Sequence, residues 1–254
     1  MAVSVATEKN IQMGVVFDGE IAVGKTTFIN NMAVVLNSLG VRAVVVDEPV
    51  TEWTDVGILQ KFYQDPAKHA YAFQTYTFVT RTERLIRAVA EHPEADVFLL
   101  ERSVLTDRFV FMELQKKYCP KIEMDMYDNW WRHWLRLMPV RLVKFVYLKP
   151  SIEKCMLRVE ARGRQCEKKN AVSVEYQMRL RDAHEMFLQG MHAAEFPDVP
   201  ERPFSVGRDV IVVGHDVADG DFRLPVGFGL LVDAVNRIGF REFCEPARAV
   251  AGLE

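Results

Sequence analysis

The octapeptide Gly19-Glu20-Ile21-Ala22-Val23-Gly24-Lys25-Thr26 satisfies every fixed position of GxxxxGK[ST], the pattern of a phosphate-binding loop. Consecutive backbone N–H groups and the positive end of the following helix converge on phosphate oxygens in such a loop, and glycines let the chain approach closely. Gly19, Ala22, Val23, Gly24, Lys25, Thr26 and Thr27 are the expected contacts to a nucleoside triphosphate such as ATP. Lys25 is placed to neutralise the β- and γ-phosphates, and the Thr26 hydroxyl to reach Mg²⁺. The plainer alternative is a βα turn that happens to contain glycine; a strand before and a helix after weigh against it. The loop alone does not separate a kinase from a GTPase or an ATP-driven motor. No NKxD-type guanine-reading segment occurs in the chain, and a motor would usually be larger.

Other charged residues narrow the chemistry. Glu48 lies in Asp47-Glu48-Pro49-Val50, with Trp53 five residues on. A carboxylate beyond the γ-phosphate can serve as general base for an attacking hydroxyl, although a solvated acid at a strand end would look the same. Glu101-Arg102-Ser103 offers an acid for Mg²⁺ and an arginine to bridge phosphate and acceptor. Asp107-Arg108 reads equally well as part of a site and as a helix-start acid beside a surface arginine. Gln74, Thr77, Phe78 and Arg81 share one helical face, so Gln74 and Arg81 could bond and stack a planar base. For Tyr76 and Phe78 core packing is the simpler reading, whereas a buried Gln74 would need partners. Arg158, Arg162 and Arg164 in LRVEARGR could close over a triphosphate, or could simply complement a helix C-terminus.

These residues need a frame. Short apolar runs at 13–17, 43–46, 97–100, 142–148 and 210–213 alternate with long helical stretches. The first helix is expected over 25–39, from Phe28, Met32, Val35, Leu36 and Leu39, with a stop at Gly40. The pattern predicts an α/β protein whose five-stranded parallel sheet is flanked by helices on both faces. Ligands of such sheets lie at the carboxyl ends of the strands, where Asp18, Asp47-Glu48 and Glu101-Arg102 stand. A proline-bearing loop is expected over 196–208 and a helix over 226–238. A single domain spans 1–254, with a flexible 1–12 and a weakly patterned tail over 239–254.

Composition excludes several classes. The 254 residues are 49% hydrophobic and 26% charged, so the chain can bury a substantial core. Lys and Arg number 32 against 35 Asp and Glu, a net charge of −3 without long blocks of one sign; a general nucleic-acid coat is not expected. The 4 cysteines show no CxxC spacing, which gives zinc or disulfides little support. Reduced thiols, the absence of a membrane-length apolar run and a start without signal or presequence character point to a cytoplasmic protein with no membrane partner.

The ordered set GEIAVGKTT, EPVTEW, YAFQTY, ERSVLTDR and EARGR resembles the deoxynucleoside kinase family of deoxycytidine, deoxyguanosine and mitochondrial-type thymidine kinases, over about residues 13–222. The resemblance implies the P-loop kinase fold with an arginine-rich lid formed by Arg158, Arg162 and Arg164. It implies transfer of phosphate from ATP, with Mg²⁺ held by Thr26 and Glu101, to a deoxyribonucleoside, and a homodimer joined through helices. Catalysis falls to Glu48 as base for the sugar 5′-hydroxyl, with Arg102 beside it and Lys25 on the phosphates. The substrate-binding residues implied are Gln74 on the base edge, Tyr63 and Glu167 on the 3′-hydroxyl, and Trp53, Phe73 and Phe111 as aromatic walls.

In the family, an arginine and an aspartate at the positions of Arg81 and Asp107 accompany use of deoxycytidine and purine deoxynucleosides, a range that leaves thymidine open. Thr77 stands where other members carry small residues that shape this pocket. Glu20 replaces a usual asparagine, which puts negative charge near the phosphates and is expected to weaken ATP binding. The segment 165–173 is longer than in relatives by about two residues. A nucleoside monophosphate kinase, or a non-catalytic subunit keeping the kinase fold, are the competing assignments.

Overall fold

Runs dominated by Val, Phe and Leu are suited to a pleated surface buried on both sides. In the computed structural model, which describes residues 12–164, 172–190 and 210–214 together with Asn236 and Gly239, they form β1 (Gln12–Asp18), β2 (Ala43–Val46), β3 (Val97–Glu101), β4 (Val140–Leu148) and β5 (Val210–Val213). Every pairing is parallel and the strand order is β2-β3-β1-β4-β5. The expected five-stranded P-loop kinase architecture is therefore present. β1 and β4 begin slightly earlier than their apolar runs. The Gln12 carboxamide extends β1 by donating to the carbonyls of Pro93, His92 and Ala95. The elements expected at 196–208, 226–238 and 239–254, and residues 1–11, lie outside the described residues apart from Asn236 and Gly239.

Alternation along the strands sends successive side chains to opposite faces. Val15 and Phe17 of β1, Val97 and Leu99 of β3 and Val146 and Leu148 of β4 pack on one face against Phe28, Ile29, Met32 and Leu36 of α1 (Lys25–Ser38). Val16, Phe98, Leu100 and Phe145 point the other way, into a larger core with the remaining helices. Each such side chain, fully buried, contributes about 1.5–3 kcal/mol. The two cores clamp the sheet, which fixes where its strand ends stand.

After β2 come α2 (Val50–Asp55), α3 (Ile58–Gln64) and α4 (Pro66–Glu91). Asp65 caps α4 by accepting from the Lys68 backbone N–H, and Pro66 needs no partner at the first position. At 26 residues α4 runs about 39 Å along the sheet. It carries Gln74, Thr77, Phe78 and Arg81 on its buried face.

Beyond β3 the chain winds through α5 (Val104–Thr106), a π-helical stretch Asp107–Met112, α6 (Glu113–Gln115) and a 3₁₀ turn Lys116–Tyr118, before α7 (Lys121–Arg136). The helix thus starts earlier than Asp107, at a Ser103 cap whose hydroxyl accepts from Thr106. Asp107 instead opens the widened turn, a feature often found at functional sites. α7 holds this segment in place: Trp131, fully buried, donates to the Val104 carbonyl at 2.7 Å and meets Phe109 edge to face. Arg108 is buried as well and pairs with Asp128 of α7, so it is not the surface arginine of the simpler reading. After β4 follow α8 (Ile152–Arg162) and α9 (Val174–Leu188). Among the described residues no helix is long and apolar enough to cross a membrane.

Candidate active site

β1 ends at Asp18, and the phosphate-binding loop turns immediately under a hard steric limit. Gly19 has φ +142°, and a Cβ there would lie 2.5 Å from the Leu148 carbonyl oxygen; only glycine fits. Gly24, at φ +98°, caps α1 and directs the first turn of that helix at the loop. The Lys25 ammonium donates to the Glu20 carbonyl at 3.2 Å, and the Thr26 hydroxyl donates to Glu101 at 2.9 Å. Burial and the neighbouring Arg102 pull the Lys25 pKa down to about 8, against the opposing pull of Glu101, Glu48 and Asp18.

The ends of β1, β2 and β3 converge on a buried lattice of charges. Arg102 donates to both Glu48 oxygens at 2.8 Å and to the Gly19 carbonyl at 3.1 Å. It does so from a left-handed backbone, φ +65°, the kind of strain that clusters at functional sites. Arg81 donates to Asp107 at 2.9 and 3.2 Å, to Glu48 at 3.0 Å and to the Glu101 carbonyl at 2.7 Å. Burial alone would raise the Glu48 pKa, but Arg102, Arg81 and Lys25 outweigh it and hold the carboxyl at about 2. Glu101 moves the other way, raised by burial and by the charge of Glu48. Burial also raises Asp107, with Arg81 opposing. Asp18 is held below the usual range despite burial, through His184 and Arg102 and a bond from Thr106.

A cavity of about 250 Å³ opens above this lattice. Lys25, Thr26, Glu48, Glu101 and Arg102 line its floor, and Trp53, Tyr63, Phe73, Gln74 and Phe111 its side. The aromatic walls are locked by mutual packing: Trp53 meets Phe73 edge to face and donates to the Thr80 hydroxyl at 2.9 Å, and Phe73 stacks on Phe62. Phe111 lies under the Arg102 guanidinium at 4.7 Å. The Gln74 carboxamide has no hydrogen-bond partner among the described residues, although the residue is buried and lines the cavity; such a group is usually satisfied by a ligand or water.

A phosphate loop, a buried carboxylate and an aromatic slot in one cavity are the parts of a small-molecule kinase, and a family model described as deoxynucleoside kinase matches residues 15–213. The chain belongs to the deoxynucleoside kinase family. It is similar to a probable deoxycytidine kinase of fowlpox virus, 33% identical over 181 residues that cover 70% of this chain and 73% of the relative. Deoxycytidine kinase of Homo sapiens is 29% identical over 67% of this chain and 73% of its own. Mitochondrial deoxyguanosine kinase of Xenopus laevis is 27% identical over 67% and 71%. The protein is accordingly a deoxynucleoside phosphotransferase that uses ATP.

The kinase cavity gathers most residues singled out in the sequence. Arg81, Asp107, Arg162 and Arg164 also line it, whereas Arg158 donates to the Val23 carbonyl at 2.7 Å. Glu48 is no solvated strand-end acid: Arg102 and Arg81 enclose it. Phe78 is core, while Tyr76 is only partly buried and donates to Glu52. Glu167 and most of the longer segment 165–173 lie outside the described residues. The placement expected for Glu20 changes: its carboxylate is no open charge in the loop but is fully buried against Arg181 of α9 and the Tyr147 hydroxyl. Phe62, Tyr176, Gln177, Arg181 and His184 escaped sequence reasoning. Tyr176 lines the cavity. Gln177, Arg181 and His184 share one face of α9 at spacings of four and three, a pattern visible in the sequence but indistinguishable there from a solvated helix face.

Lys25 gives this kinase a pH signature. With its pKa at about 8, its ammonium should be partly lost above that pH, and a triphosphate bound at the loop should restore it. ATP affinity should fall as pH rises past 8, and binding near pH 8 should take up a proton. Calorimetry in two buffers of different ionisation enthalpy measures that uptake; ATP binding independent of pH from 7 to about 9.5 would contradict it.

Proposed function

We propose that the kinase transfers the γ-phosphoryl group of ATP to the 5′-hydroxyl of deoxycytidine and purine deoxynucleosides, with Glu48 receiving the hydroxyl proton. The observation that carries this reading is the placement of Glu48: an ionised carboxylate on the floor of an aromatic-walled cavity, across from the Lys25 and Thr26 of the phosphate loop. A carboxylate held at so low a pKa is a weak base at the outset. It first orients the hydroxyl by accepting a hydrogen bond, and takes the proton late, as suits a loose phosphoryl-transfer transition state. Arg102 keeps Glu48 ionised and reaches the Gly19 carbonyl, so it holds acceptor and donor sites at one spacing. Trp53, Phe73 and Phe111 sandwich the base, and Gln74 offers a donor and an acceptor to its edge.

Base preference is assigned to Arg81 and Asp107. Four of the five guanidinium donors of Arg81 are taken by Asp107, Glu48 and the Glu101 carbonyl. The pair is a polar edge that favours a base carrying hydrogen-bonding groups there and penalises one that leaves the edge unpaired. The relatives named for deoxycytidine and deoxyguanosine support this choice. Thr77 fits beside the pair with its hydroxyl turned back onto the Gln74 carbonyl at 2.8 Å.

Mg²⁺ suits Thr26 and Glu101, two hard oxygen donors already 2.9 Å apart. Burial and the charge of Glu48 raise the Glu101 carboxyl in spite of Lys25 and Arg102, and a dication there would favour its ionised form while neutralising the phosphates. Among the described residues no cluster of three or more metal-ligating side chains exists, in keeping with an ion held chiefly by phosphate and water. Arg162 and Arg164, on the cavity rim, are the lid cations facing the triphosphate. For the homodimer, the row Ile122, Met126 and Trp130 along α7 is exposed and apolar, suited to a second copy of the chain.

An ADP-release assay with deoxycytidine, deoxyguanosine, deoxyadenosine, thymidine and thymidylate tests the acceptor. The first three should be turned over with higher kcat/KM than thymidine, and thymidylate not at all; preference for thymidylate would assign a monophosphate kinase instead. In the same assay Glu48→Gln should lower kcat by about 10²- to 10⁴-fold while deoxycytidine binding stays measurable, and near-normal turnover would place the proton elsewhere. Sedimentation should find the wild type dimeric and Trp130→Glu shifted towards monomer; a monomeric wild type would remove the dimer.

A further inference from the structure

α9 touches the phosphate loop at two consecutive residues, and both contacts are polar and partly buried. The Gln177 carboxamide lies across the Ile21 peptide: its oxygen accepts from the Ile21 N–H at 3.0 Å and its nitrogen donates to the Ile21 carbonyl at 2.8 Å. One turn on, the Arg181 guanidinium pairs with the Glu20 carboxylate and donates also to the Pro150 carbonyl at the end of β4. The Glu20 side chain is fully buried; among the described residues it meets, apart from Arg181, only the Tyr147 hydroxyl, at 3.3 Å, and its second oxygen has no hydrogen-bond partner there. The Glu20 carbonyl in turn receives the Lys25 ammonium.

We propose that Arg181 and Gln177 are positioning residues for the phosphate donor: they hold the phosphate loop in its ATP-receiving shape from outside. Arg181 cancels a buried negative charge that would otherwise stand beside the triphosphate, and it fixes the residue whose carbonyl holds Lys25. Gln177 satisfies both polar groups of Ile21, so that peptide is pinned and its N–H is not one of the groups left for phosphate. An uncompensated buried carboxylate is strongly unfavourable. Without Arg181, Glu20 would therefore turn out towards water or towards Lys25, and either movement deforms the loop. Neither Arg181 nor Gln177 touches the reacting atoms or lines the cavity, and the nucleoside half, walled by α2, α3, α4 and Phe111 with Tyr176 of α9 beside them, keeps its own side chains.

The proposal rests on ATP occupying this loop, and a double-mutant cycle separates the two. Wild type, Arg181→Met, Glu20→Gln and the double variant are compared by calorimetry with ATP, by kinetics at saturating deoxycytidine, and by thermal melting. Arg181→Met should raise the ATP Kd and lower kcat/KM for ATP by about 10- to 100-fold while deoxycytidine Kd stays at its wild-type value. The double variant, with both charges gone, should return ATP affinity to within about threefold of wild type. Should Arg181→Met fail to fold, Gln177→Leu, which strands no charge, should still raise the ATP Kd by about tenfold.

Wild-type ATP affinity in both Arg181→Met and Gln177→Leu would overturn the proposal. So would a double variant no better than the single one, or parallel loss of ATP and deoxycytidine binding. A wild type that binds deoxycytidine but not ATP would instead defeat the reading of the loop as the donor site.

Discussion

Arg102 is the point on which the site depends. Its guanidinium joins the end of β2, through Glu48, to the turn after β1, through Gly19, and it does so from the end of β3. Taking several charges out of water costs several kcal/mol each unless they are matched and hydrogen-bonded. Here Arg102 and Arg81 match Glu48, Arg81 matches Asp107, and His184 and Arg102 face Asp18. The parallel register brings these strand ends level: Val16 lies opposite Leu100, and Leu100 opposite Val46. A slip by one residue would turn each carboxylate into the opposite core. The sheet and the charge lattice therefore specify one another.

Much of this frame was legible from apolar runs and punctuation. The five strands, the first helix and the crevice at the strand ends follow from a pattern that any buried parallel sheet must show, and the family match over 15–213 agrees with it. Glu48, Arg102 and Lys25 could be named because their chemistry is tied to a position in that frame. Less legible was how the polar residues would satisfy each other. Nothing in the spelling of TDRFVFM announces a π-helical turn, and the residue that packs against it, Trp131, lies on another helix. Arg108 looked like a surface cation because its partner Asp128 is twenty residues away on another helix.

Glu20 shows the same limit more sharply. Read along the chain, an acid inside a phosphate loop is a liability, because only sequence neighbours are in view. In space its neighbour is Arg181, 161 residues on, and the local charge is cancelled. Gln177 and His184 work from the same helical face, against Ile21 and Asp18. Such compensations are invisible to a motif, which records what a ligand needs and not what supports the loop from behind.

Arg81 carries a final implication. One guanidinium bonds both Asp107, to which we assign base selection, and Glu48, to which we assign the hydroxyl proton. Any drift at this position that widens the range of bases accepted also strips a donor from the carboxylate beneath. On these assignments new substrates and speed are inherited as a linked pair, and a lineage moving towards other nucleosides would have to rebuild the support of Glu48 along the way.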